Sequence, residues 1–310
     1  MGDRTKIDWC DASWNPVTGC LHGCEYCYAR RIATRFDGKM RGDGPAKSCR
    51  GRRSECDPPR QTGSVLYELD APMHRTERCG SDDVVRVGPA EPYPFGFDPT
   101  FHRYRLDEPK HWRKPRNIFV CSMGDLCGNW VLDSWKQDVI AACKKAPQHR
   151  YLFLTKNPYG YNIWPERDRP VVHEFDQENF WLGCSMTGWE DLSQYWNHYG
   201  RYLYAMGGNM IPGLAHRFIS IEPILTDVIE LPGFHGSALR EEIASRYSGH
   251  IEWIIIGAET GARKGKDIPE RRWIEKITDA CREAGKPVFM KESLRDLMGP
   301  DFVQEFPWEA

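Results

Sequence analysis

Six short apolar runs recur at near-equal intervals, and this rhythm restricts the fold more than any other feature of the chain. They occupy residues 117–121 (NIFVC), 151–155 (YLFLT), 180–184 (FWLGC), 217–221 (RFISI), 253–257 (WIIIG) and 287–291 (PVFMK), with starts 34, 29, 37, 36 and 34 residues apart. Between most of them lie stretches of helical periodicity, at 131–145, 191–205 and 269–284. The pattern predicts repeated βα units. Strands that are apolar throughout need cover on both faces, so it also predicts a parallel sheet wrapped by helices, open or closed as a barrel. An earlier run at 13–17 brings the count to about seven strands. In such folds the functional site is built on the C-terminal ends of the strands.

One segment breaks the rhythm. Residues 37–114 are rich in Gly, Pro and Arg and poor in periodic apolar positions, and read as an irregular insertion or lid. The expected organisation is a first βα unit over 1–36, the insertion over 37–114, and the remaining units of the same domain over 115–310. The 310-residue length, 40% hydrophobic content and 38 aromatic residues (12 Trp, 13 Tyr, 13 Phe) suffice for a large core. No apolar run approaches the roughly 20 residues of a membrane helix. The charged start MGDRTK is unlike a secretory signal, so a cytoplasmic location is expected.

In a reducing compartment, the 12 cysteines point to metal or redox chemistry before disulfides. The segment NPVTGCLHGCEYCYARR places Cys20, Cys24 and Cys27 at C-x3-C-x2-C spacing, directly after the first predicted strand and before a helix. Three thiolates on one tight loop suit an iron–sulfur cluster with one iron left open. A zinc site with Cys10 or His22 as fourth ligand is the alternative, although no second knuckle of metal-ligand spacing follows.

This loop, with Tyr26 just before the last cysteine, resembles the signature of the radical S-adenosylmethionine superfamily. That resemblance implies a [4Fe-4S] cluster on Cys20, Cys24 and Cys27, S-adenosylmethionine bound to its open iron, an electron donor of flavodoxin or ferredoxin type, and a partial (β/α)6, TIM-like barrel. The blocks TKIDWCDASWNPVTGC, KPRNIFVCSMGDLC, YLFLTKNP, WLGCSMT, RFISIEPIL, IEWIIIGAETG and GKPVFMKESL resemble the phage-associated three-Cys-motif family of radical-SAM-like proteins. Members of that family are often encoded beside a second protein, which implies a partner. The loop GCLHGCEYCY is also similar to that of the spore photoproduct lyases.

On this resemblance Tyr26, Gly124 and Asp125 are expected at the cofactor, with Gly124 and Asp125 standing where the superfamily carries a Gly-Gly-Glu-like edge. Asp125 could instead cap a helix. Ser185 and Glu259 are further cofactor candidates at strand ends. Glu222 and Lys156 are candidates for catalysis, and Cys127 for hydrogen-atom donation. The competing reading pairs the carboxylates with Lys156 or Lys291 in an ion-pair ring, and treats Cys127 as packing. Cys121, Cys143, Cys184 and Cys281 read as core.

Cys49, Cys56 and Cys79, with His74, could hold a second metal in the insertion or be plain thiols. The net charge of -2 conceals two basic stretches, ten Lys/Arg against four acids over 29–60 and six against two over 102–116. They suit a nucleic-acid or nucleotide substrate, or form a solvated face. A peptide or small-metabolite substrate, or a non-catalytic metal-stabilised binding protein, are the alternatives.

Overall fold

The computed structural model describes residues 5–37, 66–79, 83–161, 174–188, 215–230, 238–244, 251–261, 263 and 265–309. The architecture is mixed α/β, as the rhythm predicts. Its principal sheet has seven strands in the order β1 (Ala12–Trp14), β7 (Asn117–Val120), β8 (Arg150–Thr155), β9 (Phe180–Met186), β10 (His216–Ile221), β11 (Trp253–Ile256) and β12 (Val288–Met290). The pairs from β8 through β12 are parallel, with Phe218 beside both Gly183 and Trp253. Strands β9 and β11 are buried at every residue, which is why their sequences are apolar without alternation.

The chain divides into two compact units. The first comprises Met1–Ser13, Lys114–Phe119 and Pro147–Ala310. Its core gathers Trp9, Phe119, Leu152, Trp181, Phe218, Trp253, Ile255 and Phe289. Trp253 is its hub: the indole ring lies 5.2 to 6.3 Å from those of Trp9, Trp181, Phe218, Phe289, Phe306 and Trp308, and Nε1 donates to Glu305 O at 2.9 Å. The helix at Arg271–Ala284 buries Ile274, Ile277, Thr278 and Cys281 on one face. It ends at the left-handed Gly285, where Lys286 N–H returns to Cys281 O at 2.9 Å.

The second unit comprises Trp14–Arg113 and Val120–Ala146. It contains β2 (Val17–Thr18), α1 (Tyr28–Asp37), β3 (Tyr67–Leu69), a β4–β5 hairpin (His74–Cys79, Asp83–Ala90), β6 (Thr100–His102) and α2 (Asp133–Lys144). β6 pairs antiparallel with β2 and parallel with β3. The segment 37–114 is therefore not irregular where it is described. Its strands are too short or too charged to show a two-residue alternation, and tertiary contacts hold them: Arg103 pairs with Glu68 at 2.8 Å and Asp138 at 2.7 Å, and Trp135 Nε1 donates to Glu68.

The strand expected over 13–17 is two strands, because Asn15–Pro16 intervenes. Pro16 has no N–H for a ladder, and Asn15 turns its groups elsewhere. The expected helix over 191–205 lies outside the described residues. Among the described residues, no helix is long and apolar enough to cross a membrane.

Candidate functional site

The cysteine loop leaves β2 through a constriction of bare backbone. Gly19 has φ +84° and forms a parallel bridge with Gly124, its N–H bonding Met123 O at 2.9 Å. A Cβ on Gly19 would stand 2.3 Å from Asp98 O, and one on Gly124 would stand 2.9 Å from Gly19 O. Glycine is thus required at both positions by close approach, and at the first also by backbone conformation. Gly23, at φ +76°, turns the loop again.

Cys20, Cys24 and Cys27 are free, half-buried thiols within eight residues. Burial pushes the Cys20 thiol up to about 12, with Asp125 and the other two sulfurs adding to the rise and the His22 amide opposing it. Cys27 stands at the start of α1, where Arg30 N–H lies 3.3 Å from its Sγ.

Among the described residues, no group of three or more His, Cys, Asp or Glu side chains is arranged to hold a metal ion. The donor chemistry nonetheless suits a thiophilic centre. The loop supplies three free soft ligands, and a bound cation would offset the burial that keeps Cys20 protonated.

Asp125 is buried at the loop's side and is fully engaged. Its Oδ2 takes His22 Nε2 at 2.8 Å, and its Oδ1 accepts from Cys127 N–H at 3.0 Å. The second contact closes a two-residue side-chain turn and caps no helix, since α2 begins only at Asp133; the first ties the middle of the cysteine loop to the segment after β7. Trp130 stands edge-on to His22, with centroids 4.8 Å apart. Gly124 serves the backbone bridge described above. Tyr26 is half-buried, and its carbonyl accepts from Arg31 at 3.5 Å. Cys127 is 1% exposed and burial pushes its thiol well up, so its side chain packs beneath the surface.

Several supporting residues carry no motif and escape sequence reading. Buried Asn15 accepts Ser122 Oγ at 3.1 Å and Met123 N–H at 2.9 Å, shaping the segment before Gly124. Cys121 adopts the left-handed φ of 58° there, an uncommon conformation for a side chain with a Cβ. Tyr28 donates to Ser122 O at 2.7 Å. Arg105 is buried and donates to Asn15 O at 3.0 Å and Pro92 O at 3.5 Å. Beside it, His102 lies between Thr18 Oγ1 at 2.9 Å and Tyr104 Oη at 3.3 Å, and burial together with Arg105 lowers its pKa to about 2.

The remaining candidates belong to the first unit. Glu222 pairs with Lys291 at 2.5 Å, and Gly257 leaves room for that pair, since a Cβ there would meet Lys291 Cδ at 3.0 Å. Glu259 is buried and holds Arg263 by two bonds of 2.7 Å, a partner four residues along that lies outside the predicted ring of strand-end lysines. Ser185 is buried on β9 opposite Ser220 of β10, and Lys156 is half-buried just past β8. Cys49 and Cys56 lie outside the described residues; Cys79 ends β4.

No curated protein and no solved structure matches the chain. One family model does, described as a protein of unknown function (DUF5131), over residues 4–78 and 73–294. Those spans take in the cysteine loop, the Asp125 segment and every strand of the principal sheet, and the chain belongs to the DUF5131 family.

Proposed function

We propose that this protein is a radical S-adenosylmethionine enzyme acting on a nucleic acid or nucleotide, with its seven-stranded sheet forming a partial (β/α)6-type barrel. The observation that carries the reading is the loop: three free thiols at C-x3-C-x2-C spacing, pinned between a strand end and a helix start. Cys20, Cys24 and Cys27 would hold a [4Fe-4S] cluster. Bound there, the cluster would supply the single electron that cleaves the sulfonium of S-adenosylmethionine and starts hydrogen abstraction.

The chain's own residues set the conditions. His22, held by Asp125 and faced by Trp130, fixes the loop between Cys20 and Cys24. Arg30 donates to Cys20 O at 3.4 Å and keeps a cation beside a site that carries thiolate charge when loaded. The Arg30 amide donates to the Cys27 sulfur at 3.3 Å. Electrons would come from a flavodoxin- or ferredoxin-type donor.

Anaerobic reconstitution with iron and sulfide tests the reading. The expected product is a brown protein with about 4 Fe per chain that releases 5′-deoxyadenosine when reduced with S-adenosylmethionine. Cys24→Ala abolishes the colour, whereas Cys49→Ala keeps it. A colourless protein with one tightly held zinc is the result that sinks the enzyme and favours a metal-stabilised binding protein.

A further inference from the structure

Helix α1 is inside out with respect to size. Its buried positions are the small Ala29 and Ala33, the latter 0% exposed, while its large apolar residues Tyr28, Ile32 and Phe36 are 41%, 37% and 45% exposed. An ordinary surface helix buries its large apolar residues. Leu21, in the cysteine loop, is 38% exposed, so four of the six exposed large hydrophobics among the described residues fall within residues 21–36. The i, i+4, i+8 spacing of Tyr28, Ile32 and Phe36 sets them on one stripe about 12 Å long.

That stripe is cationic. At 100° per residue, Arg31 and Arg35 flank Tyr28 and Ile32 on the same side of the helix. Arg30 lies over the Phe97 ring at 5.2 Å, and neither Arg30 nor Arg35 has an acidic partner among the described residues. Both aromatic rings have support. The Tyr28 hydroxyl is tied to Ser122 O at 2.7 Å, and Phe36 lies 6.3 Å from the Tyr93 ring. Half-exposed rings supported from behind, alternating with guanidinium groups, combine the two requirements of single-stranded nucleic-acid binding: faces for bases to stack on and charges that track phosphates. In duplex DNA those base faces are covered.

We infer that the outer face of α1 is a binding platform for single-stranded nucleic acid, with bases stacking on Tyr28 and Phe36 and phosphate lying along Arg35. This rests on the proposed function for the class of substrate, but its test needs no cluster. The probe is a fluorescein-labelled 15-nucleotide oligodeoxythymidylate, titrated with the full-length protein between 50 and 200 mM NaCl, before and after iron–sulfur reconstitution.

Fluorescence anisotropy should show salt-sensitive binding that is tighter than for a duplex of equal length. Phe36→Ala should weaken it about 5- to 150-fold, and Arg35→Ala should flatten the log–log salt slope by about 0.7. Ile268→Ala, an exposed apolar position on the other unit, should change nothing. Phe36→Leu keeps an apolar side chain without a ring, and serves if Phe36→Ala loses the native circular dichroism spectrum. Absence of binding at 50 mM NaCl, equal affinity for duplex, equal displacement by polyglutamate, or indifference to the ring and arginine variants each overturns the inference. So does a wild-type chain that self-associates through this face and ignores the oligonucleotide. Binding without a reconstitutable cluster would leave the platform standing and remove the enzyme; a cluster without binding would do the reverse.

Discussion

Gly19 and Gly124 show how a single hydrogen in place of a side chain sets the site's geometry. Gly19→Ala places a Cβ against the Asp98 carbonyl at a left-handed φ, and the expected cost is ~3 kcal/mol or more, against about 2 kcal/mol for Gly124→Ala. Urea denaturation of the two variants checks the order. His102 makes a separate prediction. Because its folded pKa is lowered to about 2, the native state stays unprotonated while the unfolded imidazole takes a proton below about pH 6.5. Its contribution is intact above pH 6.5 and is lost as pH falls, by about 1.4 kcal/mol per pH unit. Replacing His102 with Gln should remove that slope from the stability profile between pH 6.5 and 4.5. At this scale the cysteine loop was legible because its chemistry is local in sequence. The His22–Asp125 contact spans 103 positions and leaves no local signal.

Elements were legible where burial imposes a period. Strands β7 to β12 and the helix over Arg271–Ala284 fall within a few residues of their predicted bounds, because a strand buried on both faces must be apolar throughout. The three-stranded sheet of β2, β6 and β3 leaves no such period in the sequence: its strands have two or three residues each, and ion pairs at Arg103 fix its surroundings. Helix α1 misleads in the opposite direction, since its large apolar stripe faces outward and its alanines face in. Ala33→Leu should therefore destabilise the protein by 1–3 kcal/mol, roughly as overpacking does elsewhere, whereas Phe36→Ala should change stability by no more than about 0.5 kcal/mol. Thermal and urea unfolding of the pair measure the contrast directly.

At the scale of the whole molecule, the first unit draws its core from both ends of the chain. Trp9 near one end and Phe306 and Trp308 near the other share the Trp253 hub. Trp253→Ala should cost about 3–5 kcal/mol, and a chain shortened to residue 302 should melt lower, because it loses both of the later rings and the Glu305 bonds to Trp253 and Val288. Equilibrium unfolding of the two proteins tests this. By itself the sequence determined the succession of β and α elements, the parallel sheet and the three-cysteine loop, since each follows from a periodicity or spacing read within about forty residues. Only the tertiary structure decided that Asp125 serves His22, that Cys127 is sealed from solvent, and that residues 67–102 add strands to the unit bearing the cysteines. Whether a carboxylate or thiol is free depends on what the fold brings within 3 Å of it and how much water it removes, and neither quantity is a property of the residue's neighbours in sequence.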